Sequence, residues 1–433
     1  MSVFRELRAL LARSGFRKLF AVRLVSQAAD GMFQVGLANL LFFSPESQGS
    51  APAIAGAFAV MLAPFTIVGP FAGVFLDRWQ RRQVLVVGNA VRVVITAAMA
   101  LLMVTDGVSV WIYALGLAAL SVNRFLLAGL SAGLPLVVED KKLLLTANAL
   151  TPTLGAGAAF LGGLGAFVMG QVAPTGRVQD ATALTCAALV MGWASLLGLR
   201  LGRGELGPVV PASGGVGREI VVVTRGLADG ARYLTARRTP GQALLAMATH
   251  RFCYGVVFIA SILMARNLLS DPADSTSGLA VFAQVVGATG VGGGVAIVVT
   301  AWIGRKMAPQ SWIATMLVVA AASQLLLVPT EPGLVLMLTA AALLGMAAQG
   351  AKIAVDTIVQ RDSGDEFRGR AFAFFDVLYN AAFVGAAALA AAVVPDMGWS
   401  PGLFAVLAGV YLVAGALVGL RGAREPRPVE ASV

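Results

Sequence analysis

The chain has 433 residues, of which 58% are hydrophobic and 12% charged, with a formal net charge of +10 and a mean hydropathy of +0.83. Soluble domains carry about 25% charged residues, so this chain has too little polar surface to cover a water-exposed globule, and secreted disulfide scaffolds, disordered tails and ordinary soluble enzymes are disfavoured. Cys186 and Cys253 lie in apolar stretches that suit reduced core thiols, and the single histidine, His250, leaves little for a zinc site, so no metal or cofactor is expected.

A helix that crosses a bilayer needs about 20 mostly apolar residues. Windows of that kind fall at 17–43, 52–76, 84–105, 109–133, 144–170, 181–201, 241–266, 278–303, 311–328, 333–357, 370–394 and 400–420. Ahead of the first lies an arm with Arg5, Arg8, Arg13, Arg17 and Lys18, which reads as a retained cytoplasmic anchor because no small-residue cleavage pattern follows. Within the first span, Arg23, Gln27, Asp30 and Gln34 recur at helical spacing and share one face, which lipid would not tolerate. Asp30 falls near mid-membrane. Two readings of it stay open: a group that binds a proton, a cation or substrate, and a permanent ion pair with Arg92 or Arg124.

The second span runs into the loop G-V-F-L-D-R-W-Q-R-R at 73–82. Asn89, Arg92 and Thr96 share a face of the third span, and Asn123 and Arg124 lie toward the inner half of the fourth. Between 202 and 240 the composition changes to a Gly- and Pro-punctuated stretch and then an amphipathic helix, read as a cytoplasmic linker along the inner face. The seventh span carries His250, Arg251 and Tyr254 near mid-depth. A lone histidine fits a hydrogen-bonded core residue or a proton relay. Arg251 has no acid within its own span, and its guanidinium suits a carboxylate or phosphate on the substrate. The run GATGVGGG at 287–294 lacks the Gly-Lys-Ser/Thr ending of a phosphate loop and reads as close helix packing. Lys352 and Asp356 in the tenth span and Asp376 in the eleventh, with Arg23, Arg370 and the 73–82 loop, are expected to form an inner charge network that opens and closes or else glues helices together.

The basic residues test the span count, because Lys and Arg collect in cytoplasmic loops. With twelve spans and both termini inside, 25 of the 32 fall on the inner side, only Arg177 and Arg266 on the outer side, and Arg23, Arg92, Arg124, Arg251 and Lys352 within spans. The charge is thus spread as membrane topology requires, and a nucleic-acid partner is not expected.

Two sets of six spans about a linker form a parallel repeat, and the 73–82 loop makes the likeness specific. Gly73, Asp77, Arg78, Arg81 and Arg82 match the G-x-x-x-D-R/K-x-G-R/K-R/K motif of the major facilitator superfamily, with Gln80 in place of its glycine. In that family the motif latches the cytoplasmic side in the outward-open state; a plain positive-inside signal would explain the arginines but neither Gly73 nor Asp77. The second-half counterpart keeps Arg305 and Lys306 but has Gly304 where the acid would stand. Further stretches, from Ser26 to Phe33, Leu134 to Val138, Thr146 to Leu150, Gly162–Gly163 and Val359 to Arg370, resemble the branch that holds macrolide efflux proteins, enterobactin exporters and the lysophospholipid transporter. The fifth span lacks the proline that precedes the Gly-Gly pair in the family's antiporter pattern, which separates proton antiport from the fold itself.

The resemblance implies an all-α, twelve-helix polytopic membrane protein of the major facilitator fold, with bundles at 1–201 and 241–433. It implies a monomeric secondary transporter of the bacterial cytoplasmic membrane, exporting or flipping an amphipathic small molecule or lipid, with protons as a candidate partner. Five bases against Asp30, Asp356 and Asp376 within the spans favour an anionic or zwitterionic substrate. Asp30, Gln34, Arg92, Arg124, His250 and Arg251 are the expected substrate and proton residues. Two rivals stand beside this reading: a membrane enzyme acting on lipid-linked substrates, and a non-transporting sensor or scaffold.

Overall fold

The computed structural model describes residues 3–422, except 44–48, 68–70, 77, 108, 139, 174–176, 208–214, 237, 304–305 and 364. All the regular elements among the described residues are helices. In chain order they are α1 (Val3–Ala12), α2 (Ser14–Ala38, continued by a π-turn at Asn39–Phe43), α3 (Ala51–Ile67), α4 (Ala72–Leu76), α5 (Arg81–Thr105), α6 (Val110–Val137), α7 (Lys141–Val172) and α8 (Arg177–Gly198). Then follow α9 (Val216–Ala236), α10 (Arg238–Leu263, continued by a π-turn at Met264–Leu268), α11 (Ser275–Trp302), α12 (Pro309–Leu325), α13 (Leu334–Asp362), α14 (Asp365–Val393) and α15 (Pro401–Gly422).

Nine helices among the described residues are long and apolar enough to cross a bilayer. Three further expected spans have helices that miss that standard for visible reasons. The α3 and α12 helices stop at 17 residues, and α2 carries Arg17, Lys18, Arg23 and Asp30. At 1.5 Å per residue, 17 residues still reach about 25 Å, within the range that spans a hydrocarbon core. Of the expected second span, α3 is described to Ile67 and α4 from Ala72; residues 68–70 lie outside the described residues. Elsewhere helices outrun the apolar windows. The α13 helix continues through Arg361 and Asp362, where charged ends reach the interface and the backbone stays helical.

Two compact units divide the chain, one of Met1–Ser47 with Val60–Val223, the other of Gln48–Ala59 with Thr224–Val433. In the first, α2 packs on α7 and α8, and α5 on α6 and α8. The amphipathicity of α5 is inverted relative to a soluble helix. Val87, Val94 and Leu101, seven residues apart, are 56%, 69% and 64% exposed, a stripe suited to lipid, while Asn89, Arg92 and Thr96 are buried inside. One side of this unit is sealed by a cluster that joins Leu10 of α1 to Phe16, Leu19, Leu85, Leu130 and Leu206. Glu6 on α1 accepts a hydrogen bond from Thr146 Oγ1 at 2.5 Å.

The α2–α7 contact is made backbone to backbone. A Cβ on Gly31 would lie 1.7 Å from the Ala159 carbonyl oxygen, and one on Gly162 would lie 2.0 Å from that of Ala28. The second unit repeats the arrangement between α11 and α13: a Cβ on Gly292 would meet the Ala342 oxygen at 1.8 Å, and one on Gly345 the Thr289 oxygen at 2.1 Å. Each joint pairs a glycine with the carbonyl three residues before the opposing glycine, so only glycine permits the approach. This is the role of Gly292 within the 287–294 run.

In the second unit, α10 packs on α13 and α14, and α12 on α13 and α15. Phe58 stacks near Phe258 and edge-on to Phe383, with ring centroids 5.2 and 4.8 Å apart. Turns in this unit are pinned by polar contacts: Ala51 N–H donates to Asp396 Oδ1 at 2.8 Å, and Asn267 Nδ2 donates to the Gly49 and Asp396 carbonyls at 2.9 and 2.6 Å. Trp399 Nε1 donates to the Leu327 carbonyl at 2.8 Å, and Gly398 turns at φ +78° against the Ala260 carbonyl.

Candidate functional site

In the first unit a polar column crosses the apolar interior. Asp30 on α2 and Arg92 on α5 are 4% and 1% exposed and form a charged hydrogen bond, and Asn123 on α6 is buried as well. Of the two arginines open to Asp30 in the sequence, Arg92 pairs with it; Arg124 is half-buried. Along the same face of α2, Ser26 Oγ donates to Asn89 Oδ1 at 3.1 Å, and Arg23 donates through Nε to Gln27 at 3.2 Å and through Nη1 to Thr151 on α7 at 3.5 Å. Gln34 is exposed. Of the four-residue stripe read in the first span, Arg23 and Asp30 are therefore buried and Gln27 half-buried, and its unforeseen partner is Thr151. Arg92 keeps Nε and Nη1 buried with no acceptor among the described residues, so the column has unused donor capacity beside its carboxylate.

Asp77 lies outside the described residues, and Gly73 lies in α4. The motif's arginines are firmly seated. Arg78 pairs with Glu219 on α9 at 2.8 Å. Arg81 Nη1 donates to the Leu206 carbonyl at 3.0 Å, and Arg82 donates to the Leu201 and Leu199 carbonyls at 2.7 and 3.2 Å. The Leu199 and Leu201 carbonyls lie just past the end of α8 and that of Leu206 five residues further on, so the guanidinium groups satisfy backbone oxygens of the chain that follows the helix. The loop thus clasps the chain that leaves the sixth span. Of the second-half counterpart, Gly304 and Arg305 fall outside the described residues.

In the second unit Arg251 on α10 sits in an aromatic enclosure. Its guanidinium carbon lies 3.6 Å from the Phe383 ring centroid, 4.2 Å from Tyr379 and 5.3 Å from Tyr254. No carboxylate among the described residues pairs with it, and its Nε is buried without an acceptor. Gly255 brings α14 this close, since a Cβ there would lie 2.6 Å from Phe383 Cδ2 and from Ala386 Cβ. The guanidinium is planar by its own delocalisation, and a cation lying over ring faces keeps its N–H edge free for an anion. The next residue, His250, is 1% exposed between Tyr254 and Tyr411, and neither ring nitrogen meets a hydrogen-bond partner among the described residues. Phe383 was missed in the sequence; its signal was the one-turn spacing from Tyr379, but nothing in one dimension says that α14 faces Arg251.

Of the inner charges in this unit, Lys352 Nζ and Asp356 Oδ2 pair at 2.6 Å one turn apart, with Lys352 5.9 Å from the Phe375 ring. Arg370 and Asp376 are both exposed on α14, and the Arg370 carbonyl receives Gly230 of α9, where a Cβ would come within 2.7 Å.

No family model matches the chain. Two curated relatives do: uncharacterized MFS-type transporters of Mycobacterium bovis and Mycobacterium tuberculosis, each 32% identical over 434 residues, covering 99% of this chain and 95% of theirs. Among solved structures, the nucleoside transporter NupG superposes with a TM-score of 0.65 at 12% identity, over 94% of this chain and 99% of that one. A variant of the peptide transporter POT superposes with a TM-score of 0.70 at 13% identity, over 94% of both. Near-full-length identity to transporters and the shared fold agree with a helix set built to lie in lipid. The chain belongs to the major facilitator superfamily and is a multi-pass membrane transporter.

Proposed function

We propose that this transporter exports an amphipathic molecule with an anionic or zwitterionic head by alternating access, with the head held at Arg251. The observation that carries the reading is the Arg251 enclosure: a cation stacked on Phe383 and Tyr379 with no carboxylate partner among the described residues. Arg251 is half-buried with its Nε out of water, and a cation so placed without a counter-charge is costly unless a ligand supplies one. Coupling to protons fits the Asp30–Arg92 pair, because a proton on Asp30 cancels one half of it and frees Arg92 for another acceptor. Gln34, Arg124 and His250 complete the residues assigned to substrate and proton.

In the same reading the chain is a monomer in the cytoplasmic membrane with both termini inside, bundles at 1–201 and 241–433, and a linker at 202–240. The 73–82 segment is assigned to the inner gate, and Arg23, Lys352, Asp356, Arg370 and Asp376 are assigned to the inner charge network. Purified protein in proteoliposomes tests this directly with a fluorescent lysophospholipid, an anionic amphiphile and a lipophilic cation under an imposed pH gradient. The expected result is flux of the first two and not of the cation, abolished by Arg251→Met and uncoupled from the gradient by Asp30→Asn. Cation flux untouched by Arg251→Met would overturn the substrate class, and Asp30→Asn flux that still follows the gradient would make the pair structural.

A further inference from the structure

A second recess in this unit has a chemistry opposite to that of Arg251. A cavity of about 70 Å³ lies among α10, α11, α12 and α13, walled by Phe258, Phe282, Met337 and Leu344, and lined by four polar side chains, Tyr254, Ser261, Thr289 and Gln324. Ser261 Oγ donates to the Phe258 carbonyl at 2.7 Å and Thr289 Oγ1 to the Val285 carbonyl at 2.8 Å, so both hydroxyl hydrogens are committed and only acceptor lone pairs remain. Gln324 is 1% exposed. Its Nε2 donates to Ser323 Oγ at 2.8 Å, and Ser323 gives its own hydrogen to the Ala320 carbonyl at 2.7 Å. The amide orientation is fixed by that chain, because Ser323 has no hydrogen left to offer Oε1. No donor among the described residues reaches Gln324 Oε1.

The lining therefore presents three acceptor oxygens in an apolar wall, with no Lys, Arg, Asp, Glu or His. An anion would meet these three acceptors with only the Tyr254 hydroxyl as a donor and no counter-charge, and a cation would lose its hydration without a counter-charge. We infer that this cavity binds a neutral apolar group ending in a hydrogen-bond donor, an alcohol above all, with its O–H given to Gln324. The volume is about half that of a cavity known to take benzene, which limits the occupant to a short chain end of a few heavy atoms. Tyr254 belongs to both this lining and the Arg251 enclosure, so the cavity receives the neutral end of a substrate whose head sits at Arg251. That role rests on the reading above, whereas the binding chemistry does not.

The test is saturation-transfer NMR on the full-length protein in lipid nanodiscs, with 1-propanol, propionate and propylammonium as probes and protein-free nanodiscs as the baseline. Wild type is expected to show 1-propanol contact above baseline and neither ion. Gln324→Leu should weaken the alcohol roughly tenfold, the effect of one lost buried hydrogen bond. Ala340→Leu, which fills the cavity and leaves Gln324 in place, should abolish it, with the melting temperature reporting that each variant is folded. Equal alcohol contact in wild type, Gln324→Leu and Ala340→Leu, contact by propionate as strong as by the alcohol, or no alcohol contact in wild type would each overturn the assignment. Arg251→Met should leave the alcohol signal intact while abolishing anion flux, so failure of the head-group reading and failure of this one give different results.

Discussion

Arg92 on α5 gives a hydrogen bond to the carboxylate of Asp30 on α2, and the pair sits where water does not reach. Each charge is tolerable only because of the other. Arg92→Leu, which strands the carboxylate, should cost about 3–5 kcal/mol, whereas Asp30→Leu combined with Arg92→Leu should recover most of it. Thermal denaturation in detergent measures both. A double variant no more stable than Arg92→Leu would mean that the charges stabilise the helices by something besides their mutual attraction.

Phe383 lies against the Arg251 guanidinium, its ring centroid 3.6 Å from the guanidinium carbon. Phe383→Leu keeps the apolar volume and removes the ring face, so a loss of about 1–2 kcal/mol is expected, roughly tenfold in the affinity for an anionic amphiphile. Titration of the ligand by thermal shift reads this directly. Unaltered affinity would remove the aromatic enclosure from the account of head-group binding.

Much of this was legible in the sequence because a bilayer imposes simple arithmetic. Twelve apolar windows and the bias of Lys and Arg are one-dimensional signals, and the stripe of Arg23, Gln27 and Asp30 on α2 declares an interior face by period alone. Pairing is another matter. Asp30 had two arginines within reach of argument, and only the side of α5 that turns away from lipid, with Asn89 and Thr96 on it, selects Arg92. Phe383 and Gln324 read as ordinary apolar-span residues until the facing helices are known.

Arg82 closes the chain after α8 by two carbonyl contacts, to Leu199 and Leu201. Arg82→Gln should release that segment by about 1.5 kcal/mol, the lower end for a charged hydrogen bond, so amide exchange across 199–207 should quicken roughly tenfold with the spans unaffected. Exchange that stays slow would assign the clasp to Arg81 and the backbone bond from Arg81 N to the Gly207 carbonyl instead.

Gly398 and Gly402 are close in sequence and opposite in demand. Gly398 holds φ +78°, and a Cβ on it would lie 2.4 Å from the Ala260 carbonyl oxygen; Gly402 begins α15 with nothing nearer than 4.0 Å. Gly398→Ala should destabilise by at least about 1–2 kcal/mol from the left-handed backbone alone, and Gly402→Ala should be neutral or mildly stabilising. Melting temperatures of the two variants compared with wild type decide the matter, and similar shifts would contradict it.

The reciprocal glycine joints have a mechanical consequence. Helices that touch through layers of side chains can slide, because rotamers yield and regroup. At Gly31–Ala159 and Gly162–Ala28 there is no such cushion, only carbonyl oxygen against Cα, and the same holds at Gly292–Ala342 and Gly345–Thr289. These joints are welds rather than bearings. The α2–α7 couple and the α11–α13 couple must each travel as a single beam, so whatever shape change accompanies a transport cycle has to be absorbed at the cushioned contacts around them.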